Sequence, residues 1–193
     1  MRYLALLLLA ATASGCATGT YAEVTALRGG MPGTGRLPQS KQVLDLDATL
    51  VRVGGVIDLA PDSAFVAELG AGLQALDPHG HEPIPGVDAS LRLGYDWGGC
   101  QLFVQGTAGY LHMGDNPLGP YRSDYLFSNG LAVGVAVPLD ESTTLSVGYQ
   151  VYHGSNGDKF HGKGRLRKVG LDPKGANPGF EGGGLFIGLE VRF

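Results

Sequence analysis

Between Leu145 and Ser155 the chain alternates strictly: Leu145, Val147, Tyr149 and Val151 occupy odd positions, and Ser146, Gly148 and Gln150 occupy even ones. A repeat of two is the signature of a β-strand with two unlike faces. Continuing the parity places His153 and Ser155 on the apolar face. Polar groups on such a surface are costly without partners. The pair therefore marks a candidate working site.

The same reading predicts eight strands, near 20–28, 42–54, 63–76, 86–97, 100–112, 124–138, 143–155 and 181–193, with Gly, Pro, Asp and Asn concentrated between them. No convincing long amphipathic helix interrupts them. One face of each later strand is almost wholly apolar: Phe65 to Leu73, Val87 to Trp97, Leu102 to Tyr110 and Leu131 to Val137, each on alternate positions. The opposite face carries Glu68, Gln74, Asp88, Arg92, Asp96, Gln101, Gln105, Gln150, Glu190 and Arg192. A soluble sandwich buries its apolar face and has shorter strands. Tilted strands of about 9 to 11 residues suffice to cross a bilayer. The pattern predicts an all-β fold, an eight-stranded antiparallel transmembrane barrel of the outer-membrane type, with the polar face inside. The interior of so small a barrel is filled by side chains, so Glu68, Arg92, Asp96 and Arg192 are expected in a packed polar core. Inward glycines (Gly70, Gly72, Gly94, Gly134, Gly188) relieve crowding there.

Composition narrows the class. The 193 residues hold 33 Gly, are 17% charged and 44% hydrophobic, and carry a net charge of −4, which disfavours nucleic acid as a partner. Met1-Arg2, the apolar stretch Leu4 to Ala13 and the small residues after it read as a signal peptide over 1–15, leaving 16–193 as the barrel domain. Ala13-Ser14-Gly15-Cys16 resembles a lipoprotein processing site, although Ala13 stands where Leu is favoured. Lipidation of Cys16 and ordinary cleavage nearby both remain open. Lipidation or removal of Cys16 leaves Cys100 without an intrachain disulfide partner, whereas a Cys16–Cys100 disulfide requires cleavage to fall earlier. The final alternation, Leu185, Ile187, Leu189, Val191 and Phe193, looks like the last strand of bacterial outer-membrane barrels, which commonly ends on an aromatic residue.

With both termini periplasmic, the connections after strands 1, 3, 5 and 7 are extracellular. His153 and Ser155 then lie at the outward end of strand 7, facing the lipopolysaccharide leaflet of a bacterial outer membrane. Here the residues resemble the outer-membrane lipid A 3-O-deacylases, the PagL-type family of eight-stranded barrels with a Ser-His-Glu triad on the outer wall. Its His-x-Ser-Asn pattern matches His153-Gly154-Ser155-Asn156, and its Asn-x-x-x-Glu pattern matches Asn177-Pro178-Gly179-Phe180-Glu181. The resemblance is strongest over about 143–193. It implies that Ser155 is the nucleophile, His153 its base, Glu181 the group that orients the imidazole, and Asn177 an oxyanion donor beside Asn156. It implies lipid A as substrate and no cofactor.

Elementary chemistry fits these roles. A serine hydroxyl needs a base to accept its proton, and a carboxylate fixes the histidine tautomer and stabilises the imidazolium. An oxyanion donor contributes roughly 3 to 4 kcal/mol in other acyl-transfer enzymes. Glu181 shares the outward parity of Leu185 to Phe193, unless Gly182-Gly183-Gly184 form a bulge that changes it. Segment 156–176, with Lys159, Lys163, Arg165, Arg167, Lys168 and Lys174 against Asp158 and Asp172, is longer than the family pattern leads one to expect. Two readings stay open for it: recognition of lipid A phosphates, or a solvated basic loop.

The remaining candidates are weaker. His79-Gly80-His81-Glu82 has metal-ligand residue types but no further obvious ligands, and reads as polar surface. His112 and His161 have no partner visible in the sequence, and Ser128-Asn129 reads as ordinary polar positions of strand 6. Tyr95, Trp97 and Tyr110 read as an interfacial aromatic belt. A non-catalytic barrel for envelope structure or surface binding is the alternative function. A palmitoyl transferase barrel is disfavoured because such enzymes use an interior pocket. Whether two barrels associate as a homodimer is open.

Overall fold

A computed structural model describes residues 17–29, 44–45, 47–61, 63–78, 82–112, 125–155 and 180–193. The expected signal peptide with Cys16, His79 to His81, Asn156, the basic segment, His161 and Asn177 lie outside the described residues.

Eight antiparallel strands form the wall: β1 (Gly19–Leu27), β2 (Ala48–Asp58), β3 (Phe65–Pro78), β4 (Ile84–Asp96), β5 (Gln101–His112), β6 (Tyr125–Pro138), β7 (Thr143–Ser155) and β8 (Phe180–Arg192). Each pairs with the next, and β1 pairs with β8 from Gly19↔Arg192 to Thr25↔Phe186, which closes the sheet into a barrel. A closed antiparallel ladder leaves no unpaired edge, the condition for crossing a lipid bilayer with strands. Among the described residues there is no helix.

The second strand corrects the sequence expectation of 42–54. Leu44–Asp45 is a separate two-residue strand running parallel to Phe180 and Glu181, and β2 begins only at Ala48. The break falls where Asp47 engages the backbone, its carboxylate accepting the Gly29 N–H at 3.2 Å.

The faces follow the alternation. Leu69, Leu73, Val87, Leu91, Leu93, Leu102, Val104, Leu131, Val133, Val147, Leu185 and Ile187 are all exposed on the outside. The charged residues Glu23, Arg52, Glu68, Asp88, Arg92 and Glu190 are buried inside. This inversion of ordinary globular burial fits an outer-membrane protein. Aromatic side chains mark both rims of the wall. Phe65 and Tyr95 meet edge to face at 5.4 Å near the short-turn end, beside exposed Trp97, and Tyr110 and Phe127 do so at 5.5 Å near the other end. The single expected belt is thus two girdles.

The short-turn end holds both described termini and the connections 59–64, 97–100 and 139–142. The β4–β5 turn needs its glycines: Gly98 (φ 63°) and Gly99 (φ 96°) are both left-handed, a two-residue hairpin closed by the Trp97 N–H donating to Cys100 O at 2.7 Å. In the β6–β7 turn the Asp140 carboxylate accepts N–H donors from Ser142 and Thr143 at 2.8 Å, and these bonds, Ser142 first, hold its pKa below the ordinary range.

The interior is packed. Arg52 pairs with Glu23 at 3.1 Å and with Asp88, Gln105 joins Glu23 to Arg92, and Arg92 reaches Glu68 and Glu190, both at 3.3 Å. Arg192 ties Glu190, Glu68 and Asp58 together at the short-turn rim. One charge network thus spans the lumen. Two expectations are corrected here. Asp96 is exposed at the strand end and accepts the Gly99 N–H at 3.3 Å, because β4 gives way to its turn at that point. The interior is also not polar throughout. At the end away from the short turns, Leu27, Ala48, Leu50, Leu76, Ile84, Leu111, Leu126 and Tyr152 form a buried apolar plug. These positions keep the inward parity.

Removing one partner from a buried ionic network leaves uncompensated charge, at about 3 to 5 kcal/mol. Arg52→Ala, which removes the cation from between Glu23 and Asp88, is expected to lower the stability of the purified barrel by about that amount in urea unfolding; an unchanged midpoint would contradict the network's role.

Candidate active site on the outer wall

The ladder registers build the site. β6 and β7 are joined by a tight turn, and their pairing runs without interruption from Pro138↔Thr144 to Phe127↔Ser155. β7 and β8 pair from Thr143↔Val191 to Gly154↔Phe180, passing through Val151↔Gly183 and His153↔Glu181. Gly182-Gly183-Gly184 therefore form no bulge against β7, and Glu181 keeps the outward parity. His153 and Glu181 are direct cross-strand neighbours on the outer face.

Their side chains meet. His153 Nδ1 lies 3.0 Å from Glu181 Oε1, with the side chains 30% and 13% exposed. A carboxylate offers only acceptors, so the Nδ1–H donates to it, and the neutral ring keeps its Nε2 lone pair free to take a proton. That is the arrangement in which an oriented imidazole acts as a base.

The position is anchored from within. Tyr152, one residue before His153, is buried in the apolar plug, where its hydroxyl donates to Gln74 Oε1 at 3.1 Å. Gln74 Nε2 in turn donates to Ser128 Oγ on β6 at 3.0 Å. These bonds tie β7 to β3 and β6 at the level of the site.

A groove of about 150 Å³ lies over this part of the wall, lined by Asn129, Gly130, Leu131, Val151, Tyr152, His153 and Glu181. Its rows follow the registers. Ala108, Asn129, His153 and Glu181 form one row across four strands; Gly106, Leu131, Val151 and Gly183 form the next, toward the middle of the wall. On the other side, toward the strand ends, come Tyr110, Phe127 and the backbone position of Ser155. The His–Glu pair thus lies just inside the upper aromatic girdle, beside apolar wall. Aromatic girdles sit at the level where headgroups meet acyl chains.

Of the residues singled out in the sequence, His153 and Glu181 are brought together. Ser155 follows His153 by two on β7, at the next outward register position. Asn156 and Asn177 lie outside the described residues. Asn129 was read as an ordinary strand position, yet it stands directly opposite His153. Counting outward from the short turn at 139–142 would have found it. Among the described residues no cluster of three potential metal ligands forms.

Neither protein-family models nor curated proteins yield a match to the sequence.

Near the site β8 also approaches β1 closely. A Cβ at Gly184 would lie 1.6 Å from the Ala26 carbonyl oxygen, so any side chain there forces the backbones apart. Gly106 has open space at the corresponding place. Gly184→Ala is expected to lower the denaturation midpoint by the equivalent of about 1 to 3 kcal/mol, the usual range for overpacking, whereas Gly106→Ala leaves it unchanged. Equal midpoints for the two variants would contradict the close approach.

Proposed function

We propose that this protein is a lipid A 3-O-deacylase of the bacterial outer membrane, a serine esterase that hydrolyses the 3-position acyl ester in the outer leaflet. The observation that carries the reading is the 3.0 Å contact from His153 Nδ1 to Glu181 Oε1 on the outer wall, with Ser155 two residues after His153 on the same strand. The His-x-Ser-Asn and Asn-x-x-x-Glu patterns support it, as does the depth of the pair beside the upper aromatic girdle. An ester linking an acyl chain to a sugar headgroup sits at that boundary.

In this reading the Ser155 hydroxyl adds to the ester carbonyl and gives its proton to His153 Nε2. Glu181 holds the ring and stabilises the imidazolium. Collapse of the tetrahedral intermediate breaks the bond to the sugar oxygen, which takes the proton from His153. Water then hydrolyses the acyl-serine by the same route, releasing the fatty acid and leaving a free 3-hydroxyl on lipid A. No metal or cofactor takes part, and the charge-filled interior plays no chemical role. The substrate approaches within the plane of the membrane.

Mass spectrometry of lipid A from cells expressing the wild-type chain, compared with cells expressing Ser155→Ala, tests the assignment. Loss of one hydroxyacyl chain in the wild type alone is expected. Unmodified lipid A in both, with folded barrel in the outer membrane, would favour a non-catalytic envelope protein. Glu181→Gln keeps the side-chain shape but loses the charge, and is expected to lower the turnover rate by about 10⁴-fold, as loss of the orienting carboxylate does in the serine-protease triad.

A further inference from the structure

We propose that Asn129 is a catalytic residue of this site, its side-chain amide donating a hydrogen bond to the substrate carbonyl oxygen as negative charge develops there. The inference rests on the esterase reading above and adds a group that neither the sequence motifs nor the family resemblance assigns.

Four observations converge on Asn129. It is exposed on the outer face of β6, where the other outward positions toward the middle of the wall are Leu131, Val133, Val135 and Val137. It stands directly across the β6–β7 ladder from His153. Among the described residues its amide makes no hydrogen bond, although it lies on the membrane side of the Tyr110–Phe127 girdle pair. It lines the same groove as His153 and Glu181. An amide on an apolar wall without an internal partner is unfavourable in lipid, and a polar group of a bound lipid is the partner the place offers.

The geometry favours the carbonyl oxygen over other polar atoms. Glu181 draws the His153 ring by Nδ1 toward β8, and Asn129 flanks the ring from the opposite strand, β6. Cross-strand neighbours stand about 5 Å apart at Cβ, and the diagonal from Asn129 to Ser155 is about 7 to 8 Å. A carbonyl held for attack between Ser155 and His153 would direct its oxygen within reach of the Asn129 amide. The flanking Ala108 and Gly106 keep the wall low on that side, leaving room for a headgroup linkage.

The test uses the purified full-length barrel in detergent micelles with lipid A, reading released fatty acid as a function of lipid A concentration. Wild type is compared with Asn129→Ala, Asn129→Asp and Asn129→Gln, with rates normalised to the folded fraction. Loss of an oxyanion donor lowers kcat by about 10²- to 10³-fold. That fall is expected for the Ala and Asp variants with KM unchanged, and Asn129→Gln, which retains the amide, should recover part of the rate. Wild-type kcat in the Ala and Asp variants would overturn the role, and so would a raised KM with unchanged kcat, which describes a binding contact only. A lower folded fraction with full activity per folded barrel would assign Asn129 a structural role instead. Wild-type protein that leaves lipid A intact would overturn the esterase reading and this inference together, a result distinct from failure of the Asn129 variants alone.

Discussion

The pairing of β1 with β8 is the constraint on which the rest of the molecule depends. Backbone amides and carbonyls facing lipid have no water to turn to, so every strand must find neighbours on both sides. Closure through Gly19↔Arg192 to Thr25↔Phe186 meets that demand. Once the sheet is closed, the repeat of two along each strand divides all side chains between lumen and wall. The lumen of eight strands is too narrow to remain open, which is why Arg52, Arg92 and Arg192 are matched there with Glu23, Asp88, Glu68, Glu190 and Asp58. With the interior filled, the proposed reading places the chemistry on the outer wall.

Closure also fixes registers, and the registers compose the site. His153 and Glu181 are separated by a long stretch of sequence, yet the β7–β8 ladder makes them direct neighbours, and the β6–β7 ladder brings Asn129 to the other flank. Interior bonds from Tyr152 to Gln74 and from Gln74 to Ser128 hold this part of the wall from behind. Side chains of one strand thus alternate between anchoring the site and forming it.

The fold was largely legible in the sequence because an apolar wall and a polar lumen exaggerate the alternation. Strands β5 to β8 fall within one or two residues of the expected limits. The start of β2 was not legible: Val43, Leu44 and Leu46 extend the apolar run backward, and only the tertiary engagement of Asp47 with Gly29 shows where the barrel strand begins. The apolar plug was missed because Leu76, Ile84, Leu111 and Leu126 lie near strand ends, where parity alone does not reveal that they converge. His153 and Glu181 were visible as outward polar residues on apolar strands. Asn129 was not, because its meaning lies in pairing with β7. The residue itself looks ordinary; its neighbour does not.

The central claim is that a serine on the outer wall is activated by the His153–Glu181 pair. Covalent labelling of the purified barrel with a lipophilic fluorophosphonate, followed by peptide mass spectrometry, tests it most directly. The account predicts modification at Ser155 in the wild type and its loss in His153→Ala. An unmodified Ser155 in folded, accessible protein, or labelling that persists without His153, would contradict it.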